Sequence, residues 1–357
     1  MAVIVPTPLR PAVDSDGVTP RTPLTGRRRF AIVLAVTGTI VTALVVLSSL
    51  VGVRMLAPDD LWRALTAFDA RDDAHLLLVN RRLPRAALAV LVGAALGAAG
   101  VVMQSLTRNP IAEPGLLGVN AGAAVAVAVA VALAGIVTPF AYFGAALLGA
   151  AAAGALVILL GGVRRGSDPV RLVLAGAALS VVLGALAQIV IINGDEQIFD
   201  RYRAWAVGSL AGRDLDVLPP AAVLLSLGLV LASLLCRALD ATALGPEASR
   251  ALGARPALVW PTAGLAVVLL AGGATASAGP IAFVGLTAPH VARLLVGSAH
   301  HRMLPVAMAL GATLVLVADT LGRVVAPPGE VGVGIMVALL GGPFFVALVR
   351  RRRVAPL

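Results

Sequence analysis

RLPRAALAVLVGAALGAAGVVMQSLTRNPIAEPGLLGVNAG, residues Arg82 to Gly122, decides how this chain folds. Arginines and a proline open the stretch. An apolar run follows from Ala86 to Met103, with glycines at 93, 97 and 100. Gln104, Arg108, Asn109, Pro110, Glu113 and Pro114 then form a short polar break, and a second apolar run begins at Leu116. In lipid an unpaired peptide group is so costly that such a break belongs at the membrane surface or inside packed protein. Glycines at this spacing let helix backbones approach closely. The stretch therefore reads as two membrane spans joined by a structured turn.

A related pattern returns 179 residues later. Gly93, Ala99, Gly100, Pro110 and Gly118 correspond to Gly272, Ala278, Gly279, Pro289 and Gly297, and Leu91, Ala95 and Leu116 to Leu270, Ala274 and Leu295. The offset is half the chain length. Both copies run apolar, proline break, apolar, which points to an internal duplication. Duplicated membrane halves are a common way to build a central transport path.

Composition agrees. Hydrophobic residues make up 59% of the chain and charged residues 13%, against about 25% charged in a soluble domain. At about 20 residues per span, a chain of 357 residues holds at most ten with short loops. All 28 basic residues are arginine. The single Cys236 excludes an intrachain disulfide and any cysteine cluster. The net charge of +10 is read here by arginine placement in a membrane protein, not as a sign of nucleic-acid binding.

Residues 1–29 are rich in Pro, Thr and Arg and read as a disordered tail. Ten spans follow within 30–353, near 30–53, 84–106, 116–134, 139–161, 170–192, 217–236, 257–278, 280–297, 304–321 and 331–349. The eighth is short and expected to break at Pro289–His290; residues 354–357 form a C-terminal tail. Pro58-Asp59-Asp60 should cap a short surface helix in the first loop. With both termini inside, the inner side receives 18 arginines and six acids, and the outer side ten arginines and twelve acids. This satisfies the positive-inside rule. Spans 2 and 7 then cross in opposite directions, making the repeat inverted. Arg81, Arg82 and Arg85 stand on the outer side, where arginine is disfavoured. Two readings stay open: pairing with Asp69, Asp72 or Asp73, or docking of an acidic partner.

The chemistry of energy use is missing. A GxxxxGK[ST] phosphate loop cannot exist without lysine. No Ser-His-Asp, HExxH or HxE pattern stands out, so the expectation is a non-enzymatic chain with no cofactor or metal of its own. Glu113 and Asp319 are the only intramembrane acids available to an ion-coupled transporter, and both read better as structural. A path of small, apolar and hydroxyl residues suits a bulky neutral or chelated solute, moved by energy supplied from another subunit.

RLPR and VVMQSLTRNPIAEPGLLGVNAG, with ALGPEASRALG at 243–253, GPIAFVGLTAPHVARLLVG at 279–297, HHRMLP, ADTLGR and GGPFF, resemble the vitamin B12 and iron-siderophore (FecCD-type) permeases of ATP-binding-cassette importers. The resemblance covers about residues 30–350. It implies an all-α permease of type II importer architecture with ten transmembrane helices, in the bacterial cytoplasmic membrane. The implied partners are a second permease subunit, two ATP-binding subunits that hold ATP and magnesium, and an extracytoplasmic binding protein. Residues 240–255, with Leu244, Gly245, Glu247, Arg250 and Gly253, resemble the region that couples to the ATPase. Arg82, Arg85 and Arg323 resemble the outer residues that meet the binding protein. Asn109, Pro110, Gly115 and Gly118 match the turn between spans 2 and 3. Gln104, Asn120, Gln188 and Asn193 are polar groups near helix ends that could meet a ligand or serve as structural hydrogen-bonders. The expected cargo is a ferric siderophore, with vitamin B12 and haem as alternatives and an ion-coupled secondary transporter as the rival class.

Overall fold

A computed structural model describes residues 26–136, 138–161, 169–213, 215–245, 249, 251 and 256–350. Among these the secondary structure is helical throughout. The elements are α1 (Gly26–Leu50), α2 (Pro58–Thr66), α3 (Asp73–Leu77), α4 (Leu83–Thr107), α5 (Val119–Ala134), α6 (Pro139–Leu160), α7 (Pro169–Ile192) and α8 (Glu196–Ala206). Then come α9 (Leu218–Ala243), α10 (Pro256–Val267), α11 (Gly273–Ala278), α12 (Val284–Val296), α13 (His300–Val325) and α14 (Val333–Arg350). Seven helical stretches among the described residues are long and apolar enough to cross a membrane, and Val119–Ala134, Val284–Val296 and Val333–Ala347 are shorter apolar helices. Together they fall on the ten expected positions. α1 begins at Gly26, so Arg27–Arg29 form its first turn and do not belong to a tail ending at 29.

α4 is the centre of the bundle. From Ala86 to Leu106 nearly all of its side chains are buried, and it packs most extensively against α13. The glycines explain the closeness. A Cβ at Gly93 would stand 2.5 Å from the Gly311 carbonyl, and one at Gly97 would meet the Ala307 carbonyl. A Cβ at Gly100 would run into the carbonyl of Gly285 on α12. Backbone-to-backbone packing of this kind replaces the hydrophobic drive that lipid cannot supply.

α4 also starts unusually. Pro84 has no N–H to offer and its ring crowds the carbonyl four residues earlier. The chain widens into a π turn at Leu78–Arg82, and the Leu83 amide reaches the Leu78 carbonyl. At its far end Arg108 takes a left-handed conformation (φ 49°), and the Asn109 amide closes on the Gln104 carbonyl at 3.1 Å, a Schellman-type stop. Asn109 Oδ1 accepts from the Ile111 amide at 3.1 Å. A 3₁₀ turn at Pro114–Leu117 follows, and Gly118 (φ 72°) opens α5.

The eighth segment departs from expectation. α12 runs unbroken through Pro289, and the chain bends earlier, at Gly279 (φ 76°) and Phe283 (φ 67°). A proline in a helix strips the carbonyl four residues back of its donor; here that carbonyl belongs to Gly285. Gln104 on α4 turns its amide to it at 3.4 Å. The neighbouring helix thus helps to satisfy the freed group, and Gly100 supplies the room. The two halves therefore diverge at their matching prolines, Pro110 in a turn and Pro289 inside a helix. Gly118 and Gly297 share only a positive φ, with ψ 3° at the first and −175° at the second.

The surface helix expected after Pro58 is α2. The Ala57 amide donates to Asp60 Oδ2 at 2.9 Å. Trp62 and Leu65 on α2 and Phe68 just beyond it are exposed, an apolar face suited to the membrane interface.

Candidate functional site

Charged and polar side chains gather at both ends of the bundle. The end that charge counting assigns to the outside holds Arg82, Arg85 and Arg323. Arg82 lies in the π turn and is 7% exposed. It points to the last turn of α1, donating to the carbonyls of Ser49 (2.9 Å), Leu50 (2.8 Å) and Arg54. Arg323, 4% exposed, donates to the carbonyls of Ser48 (2.8 Å) and Val51 (3.0 Å) and to Ser48 Oγ (2.5 Å). Two guanidiniums thus close the carbonyl end of one helix, where its dipole favours cations. Arg85 turns the other way. Its Nε and Nη2 meet Asp319 Oδ1 at 3.0 and 2.9 Å, and Nη2 meets Glu330 at 2.7 Å. Asp319 also pairs with Arg323 at 3.2 Å.

These contacts correct the local-pairing reading for Arg82 and Arg85. Arg82 and Arg85 diverge, since the π turn aims one at α1 and the other at α13. Neither uses the aspartates of the preceding loop. Asp72 caps α3 by accepting from the Ala74 amide (2.8 Å), and Asp69 accepts from the Arg71 amide (2.9 Å). Arg82, Arg85 and Arg323 nevertheless line one cavity of about 320 Å³, together with Arg54, Arg81, Arg213 and Glu330.

The opposite end joins three helix termini. Ser105 Oγ on α4 meets His300 Nε2 on α13, and His300 Nδ1 lies 2.6 Å from Asp240 Oδ1 on α9. The His300 amide also donates to Asp240 at 3.0 Å, so the carboxylate caps α13. A Ser-His-Asp set, which no sequence pattern announced, therefore does exist in the fold. It has the bonding order of a hydrolase triad, yet each member sits at a helix end and locks it to the other two. The one signal available was position: all three stand where an apolar run begins or ends on the same side. Beside them Arg293 donates to Gln104 Oε1 at 2.9 Å. A cavity of about 570 Å³ opens here, lined by Arg108, Asp240, Leu244, Arg293 and His300 among others.

The remaining expected residues divide by role. Gln104 is wholly buried and bonds α12 twice, accepting from Arg293 and donating to the Gly285 carbonyl. Asn120 Oδ1 accepts from Thr275 Oγ1 at 2.7 Å. Asn193 donates to the Ile189 carbonyl at 2.7 Å. Gln188 lies exposed on α7. Leu244 is exposed and Gly245 has φ 96°; Glu247, Arg250 and Gly253 lie outside the described residues. Glu113 accepts from the Phe283 amide at 2.9 Å and caps α12. Burial pushes its carboxyl above the usual range, against the pull of that amide. Replacing Glu113 by Ala is expected to cost about 1–2 kcal/mol, since it strands the Phe283 amide. Glu113→Gln keeps an acceptor and should recover most of the thermal midpoint measured in detergent. Among the described residues no group of His, Cys, Asp or Glu could hold a metal ion.

Among the described residues an all-helical, multi-pass body, packed on glycines with its charged side chains gathered at its ends, defines a membrane protein of the permease type. The chain belongs to the FecCD transport family, whose profile matches residues 40–351. It is 41% identical to the ferric enterobactin transport system permease protein FepD of Escherichia coli (strain K12), over 86% of this chain and 91% of that one. It is 37% identical to the Fe(3+) dicitrate transport system permease protein FecD of the same organism, over 82% of this chain and 91% of that one. The solved structure of a metal-chelate type ABC transporter in an inward-facing conformation matches with a TM-score of 0.79 at 28% identity, over 90% of this chain and 99% of that chain.

Proposed function

We propose that this chain is the permease subunit of an ATP-binding-cassette importer carrying a ferric siderophore or related iron complex. The observation that carries the reading is similarity along nearly the whole length of permeases named for ferric enterobactin and ferric dicitrate. It sits in the bacterial cytoplasmic membrane with both termini inside. A second permease subunit packs beside it; the apolar side chains that α7 exposes, with Gln188 among them, support that partner and a shared path. Two ATP-binding subunits supply ATP hydrolysis, and an extracytoplasmic binding protein delivers the iron complex at the arginine end. Against ion coupling, Asp319 and Glu113 are each held in structural contacts and are poor carriers for a moving ion. Uptake of ferric enterobactin, ferric citrate, haemin and cobalamin by the reconstituted permease, with and without its ATPase, tests the proposal. ATPase-dependent uptake of an iron complex supports it. Uptake driven by an ion gradient alone, or of cobalamin alone, overturns it.

The segment 240–255 is proposed to couple the permease to the ATPase. Leu244 stands exposed beside the 570 Å³ cavity, a position suited to a partner on that face. Glu247→Arg is expected to cut iron-stimulated ATP hydrolysis or weaken ATPase attachment, because a reversed charge leaves a partner unpaired. Wild-type assembly together with wild-type coupling would remove Glu247 from the contact.

A further inference from the structure

The end of the bundle opposite the outer arginines holds a cation that is only partly used. Arg293 lies in the last turn of α12, is 6% exposed and forms part of the wall of the 570 Å³ cavity. Its Nη2 donates to Gln104 Oε1 at 2.9 Å. Its Nε and Nη1 are buried and have no hydrogen-bond partner among the described residues. A buried charge with open donors is costly unless an acceptor or counter-ion reaches it. The other charges in the described lining do not supply one. Asp240 Oδ1 is taken by the amide and the ring of His300. Arg108 adds a second positive charge, its Nη2 donating to the Thr242 carbonyl at 3.1 Å.

The cavity thus sets two guanidiniums against one engaged carboxylate in its described lining. Its volume falls among pockets that take small molecules, about 300–1,000 Å³. It lies where α4, α9 and α12 end and α13 begins, on the side that charge counting assigns to the inside. Leu294, next to Arg293, is exposed, and Arg29 of α1 donates to its carbonyl at 3.2 Å. Basic pockets between the inner ends of membrane helices suit anionic headgroups. We propose that this cavity seats a phosphate group, with the Arg293 fork as its main contact and Arg108 as the second. The favoured source is the headgroup of an anionic inner-leaflet lipid; a soluble phosphate offers the same chemistry. A guanidinium fork matches two phosphate oxygens at once. Nε and Nη1 are covered in this structure, so seating the anion includes a rotation of the guanidinium toward the cavity. A seated phosphate ties four helix ends together and stabilises the folded chain by mass action. The inference is independent of the cargo.

The test uses the full-length permease in nanodiscs of phosphatidylcholine, to which phosphatidylglycerol is added in steps. The gain in thermal midpoint gives an apparent affinity, and native mass spectrometry counts the retained lipid. A parallel series adds inorganic phosphate to phosphatidylcholine discs, with chloride at matched ionic strength as control. Arg293→Gln is expected to weaken the apparent affinity by about tenfold or more, since hydrogen bonds from a charged donor are lost. Arg293→Lys should recover part of it. Loss of the Gln104 contact lowers the baseline midpoint of these variants but not the gain. Ala243 is exposed and lines the cavity; Ala243→Glu places a carboxylate there without removing a side-chain bond, and should abolish the gain. A gain from phosphatidylglycerol that Ala243→Glu abolishes assigns the seat to a lipid headgroup. A gain from inorganic phosphate alone that it abolishes assigns the seat to a soluble phosphate. If Ala243→Glu gains as much as wild type in both series, or wild type gains in neither, the inference fails and the importer reading is untouched. Should Arg293→Gln fail to fold, Arg293→Lys and Ala243→Glu decide by the same comparison.

Discussion

Asp319→Ala is expected to remove most of the folded permease from the membrane. Asp319 is 2% exposed and holds two arginines, Arg85 at 2.9 Å and Arg323 at 3.2 Å. Removing the carboxylate leaves the buried Arg323 and the largely buried Arg85 facing each other, with Glu330 the remaining acid against Arg85 among the described residues. Breaking a buried pair by deleting one side costs about 3–5 kcal/mol, a large part of the stability of an ordinary domain. Asp319→Asn should fall between, since it keeps an acceptor and loses the charge. The double variant Asp319→Ala with Arg85→Leu should recover part of the loss, because an apolar pair needs no counter-charge. The measurement is folded yield by fluorescence size exclusion, with thermal midpoints in detergent. Equal yield for Asp319→Ala and wild type would show that the pair contributes nothing. A double variant no better than the single would mean that Arg85 is stable without its acid.

Gly100→Val is the second large effect. A Cβ at Gly100 collides with the Gly285 carbonyl, which is backbone and has no rotamer to change. The same carbonyl has lost its own helical donor to Pro289 and leans on Gln104 at 3.4 Å. Pushing α12 away from α4 therefore opens the packing and strands a carbonyl in one step. Overpacking costs about 1–3 kcal/mol, and an unsatisfied buried group adds about 1–3 kcal/mol. Gly100→Ala should already lower the thermal midpoint. Gly38→Ala is the control: nothing lies within 4 Å of a Cβ there, and helix propensity favours the change by about 1 kcal/mol. A midpoint for Gly100→Val equal to that of wild type would rule out the close approach of α4 and α12.

The spans could be read from the sequence because lipid enforces a simple rule of length and apolarity. The glycine ladder at 93, 97 and 100 could be read too, since spacing along one helix face predicts close packing. The turn from Arg108 to Gly118 was visible in its prolines and glycines. What was hidden depends on three-dimensional neighbours. Pro289 reads as a break because a lone helix cannot satisfy the Gly285 carbonyl; Gln104, 181 positions away, does so. Arg82 and Arg85 read as one patch because they are three residues apart, but the π turn that Pro84 enforces sends them to different helices. Ser105, Asp240 and His300 share no spacing, and only the folded helix ends bring them together.

The arrangement at the end of α1 has a mechanical consequence. Its buried polar contacts to other spans gather in the last turn, where Arg82 of the π turn leading into α4 and Arg323 of α13 grip neighbouring carbonyls. Most of the rest of α1 faces away from the bundle. The helix rests one apolar face on the bundle, through Phe30, Val33, Val41, Leu44 and Val45, and its last turn is clamped by two separate jaws. Sliding of α4 against α13 would drag the jaws apart and tear one set of bonds, whereas joint tilting leaves both intact. The clamp thus selects among the motions open to a transport cycle, favouring those in which the two central helices swing as a single lever.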